Sequence, residues 1–424
     1  MASKRLKILI VTEALPYPLT SGGKICLYNF VDHLRKLHDF TIVSPSYSNE
    51  TTKQKQLLNS LWPEVKLECA DILVPESKKS LLSFLAKSLR FVAGKITGKE
   101  NLQESIDYKL DFTDSFKPHS IKYISALKII SHSQPFDIIQ IQFTRNLNLL
   151  STLPSQPKKI FEQIESQYDV MKDYAKTKKI DENFTNHVVK NSEFLENAYI
   201  NVYDAVFTLN EKDSAYFKSV LSKPSVYTTP FGVLDKDIPK VAPTTFDAKK
   251  IVFSGNESHY PNLDALEWYI KEIQPKVFQQ LQLTLHITGT WSNETKERFA
   301  KLCPHIKFEG FIDDYQSFLK DSIMIVPIRI GGGGLRTKIL YAMANHVPVV
   351  STTIGAFGIE GSHLKHYHIS DSENAFFESI VILATDQNAS LELTKNASAL
   401  VLEKYSQTKT SELRHKLYLE IIAK

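Results

Sequence analysis

The chain reads as an α/β protein of two consecutive, doubly wound parallel sheets facing a central cleft, and three observations predict it. Short apolar runs alternate with segments of helical period along most of the sequence, the pattern of repeated βα units. That alternation restarts after a stretch punctuated by Pro224, Pro230, Pro239 and Pro243 and ending near Lys249. A length of 424 residues exceeds what one hydrophobic core supports, so two or three domains are expected.

The first series opens with Lys7–Thr12 (KILIVT) as a buried strand. A helix follows over Gly22–Leu37, with Ile25, Leu27, Phe30, Val31 and Leu34 on its apolar face, and Phe40–Ser44 is the next strand. Further strands are predicted near Val65–Cys69, Asp137–Gln142, Lys159–Glu162 and Ala205–Leu209. In the second series Lys250–Ser254 (KIVFS) is a strand, Leu263–Phe278 a helix and Leu283–Thr288 a strand. Ile306–Glu309, Ile323–Pro327 and Pro348–Ser351 continue the alternation. The last helix, about Ser406–Ala423, has no strand after it and must pack on something already built. The boundaries expected are 1–235 for the N-terminal domain, with a helical insertion at about 76–132, and 236–405 for the C-terminal domain. The terminal helix, 406–424, is expected to return to the N-terminal one.

Composition excludes several classes. No apolar stretch reaches the roughly 18 to 20 residues that span a bilayer. The N-terminal apolar run is too short, and lacks the cleavage site, to read as a signal peptide. Cys26, Cys69 and Cys303 have neither metal spacing nor an even count, which fits a reduced, cytoplasmic setting. A net charge of +4 does not argue for nucleic acid. Within the insertion, Leu81, Leu82, Leu85, Leu89, Val92 and Ile96 share one helical stripe while Lys79, Lys87 and Arg90 point away. Such a segment, about 78–99, either lies on an anionic membrane surface or simply covers the sheet with a solvated face.

The first βα turn carries only Gly22-Gly23, and the second strand ends in Ser44-Pro45. The G-x-G-x-x-G fingerprint and the ribose-binding acid of dinucleotide folds are therefore missing, which disfavours a dehydrogenase. The chemistry concentrates instead at Gly331-Gly332-Gly333-Gly334-Leu335-Arg336-Thr337-Lys338, where four glycines lead into a helix with two cations in its first turn. Helix-start N–H groups, the helix dipole and glycines that admit a ligand to the backbone make an anion site there. Arg336 adds a fork suited to bidentate phosphate contact, and Lys338 adds a second charge. Cations at a helix start are unfavourable without an anion nearby. A plain surface loop also accommodates a glycine run, so the diphosphate reading needs the surrounding motifs.

Those motifs resemble the family-4 retaining glycosyltransferases of GT-B architecture, in the subgroup with a Gly-rich Arg-x-Lys donor loop. Tyr203-Asp204-Ala205-Val206-Phe207-Thr208-Leu209-Asn210-Glu211-Lys212-Asp213 is similar to the family's strand and Ser-Glu-x-Asp helix start, and Pro230-Phe231-Gly232-Val233 to its Pro-Asn-Gly-Val linker entry. The Pro261-Asn262-Leu263-Asp264-Ala265 helix start, Gly310-Phe311-Ile312-Asp313-Asp314, and Gly332 to Ala344 followed by Pro348-Val349-Val350-Ser351-Thr352 and Gly355 complete the series. The resemblance implies two Rossmann-like domains, with an acceptor side in the N-terminal one and a nucleotide-sugar site in the C-terminal one. It also implies metal-independent, front-face transfer in which a donor phosphate oxygen receives the acceptor proton. No cofactor is implied beyond a UDP- or GDP-sugar as substrate. The expected partners are that nucleotide sugar and a glycan or lipid-linked acceptor, in surface polysaccharide or glycolipid assembly, at the inner face of the membrane.

By this resemblance Arg336 and Lys338 are the catalytic cations. Donor contacts fall to Gly22, Gly23, Gly255, Asn256, His259, Phe311, Ile312, Gly332, Gly333, Gly334, Leu335 and Tyr341. Gln142, Glu162 and Glu165 stand on the acceptor side, with solvated loops as the plain reading for the two glutamates. The chain departs from the family where two glutamates are usual, at Gly333 and Tyr341. Asn256 and Glu257 replace the usual Arg and Lys after the first strand of the second domain, and no histidine ends Ile139–Phe143. Tyr341 either offers a ribose its hydroxyl or packs on the helix flank. Two rival readings follow from the losses: a catalytically silent GT-B nucleotide- or glycan-binding protein, and a sugar-nucleotide epimerase.

Overall fold

The computed structural model of the protein describes residues 4–19, 21–46, 49–71, 118–164, 166–177, 180–331 and 335–424. The first sheet is built from β1 (Lys7–Val11), β2 (Asp39–Ser46), β3 (Lys66–Asp71), β4 (Ile138–Gln142), β5 (Lys158–Gln163), β6 (Ala205–Thr208) and β7 (Ser225–Thr228). Between them run α1 (Gly22–Leu34), α2 (Asn49–Leu61), α3 (Ile121–Ser131), α4 (Gln167–Thr177), α5 (Glu182–Ile200) and α6 (Glu211–Val220). The strand order is β3-β2-β1-β4-β5-β6-β7, so the winding reverses between β1 and β4. Ile8, Leu9, Ile10 and Val11 are all fully buried, as expected of a parallel strand covered on both faces.

The second sheet has β8 (Lys250–Ser254), β9 (Leu285–Thr288), β10 (Ile306–Gly310), β11 (Ser322–Val326), β12 (Val349–Ser351) and β13 (His368–Ile369), in the order β10-β9-β8-β11-β12-β13, all parallel. Its helices are α7 (Tyr260–Glu272), α8 (Gln274–Leu281), α9 (Asn293–Leu302), α10 (Tyr315–Leu319), α11 (Thr337–Ala344), α12 (Glu373–Thr385) and α13 (Gln387–Leu400), and the chain closes with α14 (Gln407–Ala423). Ile251, Phe253, Ile325, Leu340 and Met343 lie at the centre of its core. The architecture is α/β with two Rossmann-like parallel sheets. By contacts the chain divides into one unit of residues 1–17, 37–162 and 167–203 and a second of 18–36, 163–166 and 204–424.

Three local expectations change. The helix expected over Leu263–Phe278 is two helices, broken at Ile273, because Pro275 has no N–H to continue the first and its ring opposes the preceding turn. The proline-marked stretch after Pro224 contains a strand, β7, whose Val226, Tyr227 and Thr228 pair in parallel with β6. Of the two readings of Gly22 and Gly23, as a turn after β1 and as the start of the next helix, only the helix start is found: they are the first residues of α1, capped by Ser21, whose Oγ accepts from the Lys24 N–H at 3.4 Å. Of the helical insertion, α3 is described, whereas the amphipathic stripe at 78–99 lies outside the described residues.

Within the second unit, α14 lies along α1 and β6. Arg414 is almost fully buried there, its guanidinium 4.2 Å from the Phe30 ring centre and 5.1 Å from that of Phe207. Its Nη2 donates to Thr229 Oγ1 at 3.2 Å, and the Tyr418 ring stacks on Phe207. Stacking and a hydrogen bond offset part of the cost of burying the cation.

Candidate functional site

The start of α11 organises the cations. Arg336 occupies the cap position with extended backbone and no side-chain cap, and no acidic residue stands in the first turn. The Lys338 ammonium donates to Asn262 Oδ1 at 3.0 Å and lies 4.8 Å from the centre of the Phe253 ring. Burial strips water from this ammonium and the Arg336 charge adds to the penalty, so its pKa falls to about 7. A nearby anion opposes both effects.

Gly331 packs against the first turn of α7. Gly331 has φ +119, and a Cβ there would meet Pro261 Cγ at 3.1 Å and Arg336 Nη2 at 3.5 Å. The close packing and the left-handed backbone both call for glycine. Just before it, Arg329 Nη2 donates to both carboxylate oxygens of Asp264 at 3.0 and 3.1 Å, and its guanidinium lies 5.0 Å from the Trp268 ring centre. Gly22 also belongs to this neighbourhood: a Cβ on it would sit 3.7 Å from Thr337 Cγ2. Two helix starts, those of α1 and α11, therefore meet within the second unit.

Other predicted residues do structural work. Asn256 Oδ1 accepts from the Thr290 N–H at 2.8 Å, and Glu257 accepts from the Ser292 N–H, the Ser292 hydroxyl and the Thr295 hydroxyl. Together they tie the β8 loop to the start of α9, and these contacts depress the Glu257 pKa. Gly255 has no side chain because Asn262 fills that space, its Cγ being 2.7 Å from where a Cβ would sit. Leu335 sends its side chain into the core. His259 is exposed at the α7 cap position without a side-chain cap bond.

Phe311 is 81% exposed and Ile312 half-buried, just after Gly310 at the end of β10. Tyr341 is half-buried on α11, with its ring 5.6 Å from that of Tyr315. Burial first, then Asp237, Tyr315 and Asp314, raise its hydroxyl pKa, so the hydroxyl stays protonated and remains a donor. Gly332, Gly333, Gly334 and Glu165 lie outside the described residues.

In the first unit, Glu162 is on β5 and fully buried, not in a solvated loop, because the strand runs on to Gln163. Its Oε2 accepts from Gln140 Nε2 at 2.7 Å and from Gln142 Nε2 at 2.5 Å, joining β4 to β5. The structure thus gathers Gly22, Gly255, Arg336 and Lys338 around the α7 and α11 starts and pairs Gln142 with Glu162. Missing from the sequence reading as site residues were Asn262, Asp264 and Arg329. The first two lay in a quoted motif, and Arg329 was the single cation inside an apolar run.

Residues 248–386 match the family model described as glycosyl transferases group 1. An uncharacterised 44.6 kDa protein in the cps region of Klebsiella pneumoniae is 22% identical over 423 residues, covering 95% of this chain and 97% of that protein. Sucrose-phosphate synthase from Thermosynechococcus elongatus superposes with a TM-score of 0.69 at 14% identity, over 99% of this chain and 100% of that one. TarM of S. aureus does so with a TM-score of 0.68 at 13% identity, over 98% and 99%. HepE of Anabaena, in complex with UDP-glucose, gives 0.63 at 12% identity, over 97% and 99%. The fold is that of GT-B glycosyltransferases. The group 1 match together with these neighbours supports a glycosyltransferase.

Proposed function

We propose that the protein transfers a sugar from a nucleotide-diphosphate donor to a glycan or lipid-linked acceptor, with retention of anomeric configuration and without a metal. The reading fits the cps-region location of the Klebsiella relative, and cell-surface polysaccharide assembly is the role we assign. One observation carries it: the starts of α1 and α11 meet where Arg336 and Lys338 stand, and Lys338 is paired with a neutral amide rather than a carboxylate. Helix-start N–H groups and two cations are the equipment for a leaving diphosphate whose charge grows in the transition state. Arg336 and Lys338 hold that charge, and the protein needs no carboxylate to do so. The HepE complex with UDP-glucose supports a nucleotide-sugar ligand for this architecture, and UDP- and GDP-sugars are the donors we expect.

The test is a thermal-shift screen with UDP, GDP, CMP and ADP and their sugars. A ligand bound only by the native state raises the melting point with its concentration over Kd. We expect one diphosphate and its sugar to do so without added metal. Flat melting points across the whole set would sink the proposal. Binding without transfer over a broad acceptor panel would instead favour a silent binding protein, and donor isomerisation without an acceptor would favour an epimerase.

A further inference from the structure

The start of α7 makes three contacts around the cations: Pro261 against Gly331, Asn262 on Lys338 and Asp264 on Arg329. Asp264 meets its cation with a carboxylate, whereas Asn262 meets Lys338 with an amide. The amide's orientation is fixed. Nδ2 donates to the Asn256 carbonyl at 3.0 Å, which turns Oδ1 towards the lysine. The glycine at 255 makes the space, since any Cβ there would fall 2.7 Å from Asn262. A carboxylate in the same place would hold the ammonium more tightly but cancel its charge. The amide holds it and leaves the charge for a ligand.

We propose that Asn262 is a positioning residue for the donor diphosphate, holding the Lys338 ammonium over Phe253 beside the start of α11 while leaving its charge uncompensated. The inference rests on the donor reading above and deepens it by naming the group that sets the lysine's place. Asn262 acts through Lys338 and does not itself meet the phosphates. Its effect belongs to the diphosphate and not to the nucleoside, because the charge it orients is matched only by phosphate oxygens.

The experiment measures binding of UDP, GDP and ADP, and of the corresponding nucleosides, to the full chain and its variants from pH 6 to 9. Asn262→Ala is expected to weaken diphosphate binding about tenfold, the scale of one charged hydrogen bond, and to leave nucleoside binding unchanged. Asn262→Asp keeps the side chain's shape, so it serves even if the alanine variant does not fold. It should weaken binding at pH 6 to 7 and move the fall in affinity to higher pH, because the new carboxylate keeps Lys338 protonated. Glu267→Ala, also on α7, removes pairs with Lys271 of that helix and Arg298 of α9, and should change neither. Diphosphate affinity and pH profile in both Asn262 variants equal to wild type, with Lys338→Ala impaired, would overturn the role of Asn262 and leave the donor reading standing. Failure of the wild type to bind any of the three diphosphates would overturn both.

Discussion

Two polar clusters stand in this chain, one in each unit, and they use their polar groups in opposite ways. Glu162 is fully enclosed, and one carboxylate oxygen accepts from two glutamine amides on the neighbouring strand. Its charge is answered inside the protein. Lys338 is desolvated beside another cation and, among the described residues, donates to a neutral amide oxygen and to no carboxylate. Its charge is held in place without being answered. A buried charge with internal donors fastens a fold, whereas one left with a dipole costs stability until a counter-charge arrives. The second pattern marks a ligand site more reliably than the presence of charged residues alone.

Removing each cluster's charge should break different things. Arg336→Ala is expected to lower transfer by ~10²-fold or more, the scale of losing one preorganised donor at a developing anion, with little change in the melting point. Steady-state transfer rates check this, and wild-type turnover by the variant would reject the site. Glu162→Ala should instead leave the Gln140 and Gln142 amides buried without that acceptor and lower unfolding free energy by about 2 kcal/mol. Urea unfolding measures the loss. Diphosphate affinity of the folded Glu162 variant should stay at the wild-type value, and a drop comparable to that of Arg336→Ala would erase the contrast between the clusters.

The pH dependence sharpens the contrast further. Lys338 has a pKa of about 7 in the folded protein, below the roughly 10.4 of an unfolded lysine. Between those values the unfolded chain binds more protons, so this residue's contribution makes the ligand-free protein more stable as pH rises from about 7 towards 10. Diphosphate affinity runs the other way and should fall about tenfold between pH 6.5 and 8.5 as the free site loses its charge. Calorimetry in buffers of different ionisation enthalpy should show proton uptake on binding near pH 7.5. Lys338→Met should abolish both the uptake and the slope.

Much of this architecture was legible in the sequence because strands buried on both faces are written as continuous apolar runs. Lys250–Ser254 was read with its observed ends for that reason. The β7 edge strand was not, since a half-buried run of four residues between prolines carries little periodic signal. At the candidate site, Arg336 and Lys338 stood out because cations at a helix start run against the dipole. Their supports did not stand out. Asn262 lies 76 positions before Lys338, and Asp264 lies 65 before Arg329, so only the winding of the sheet brings each pair together. Glu162 shows the same limit from the other side: a glutamate at a strand end looks solvated until its two glutamines arrive from β4.

Tyr341 offers the smallest effect and the finest test. It stands on α11 one turn beyond Lys338, at a position where the family resemblance expects a glutamate. Burial and the neighbouring Asp237 and Asp314 carboxylates keep its hydroxyl protonated, so it can donate but cannot carry the negative charge of the residue it replaces. If the hydroxyl meets the ribose of a bound nucleotide, Tyr341→Phe should weaken nucleoside and diphosphate binding alike, by roughly three- to tenfold, the range of one neutral hydrogen bond. The ring contact with Tyr315 survives that substitution, so stability should change little. This is the reverse of the Asn262 signature, in which only diphosphates respond. Equal affinities for the wild type and the phenylalanine variant would reduce Tyr341 to packing on the helix flank, and ribose recognition would then have to come from another part of the second unit.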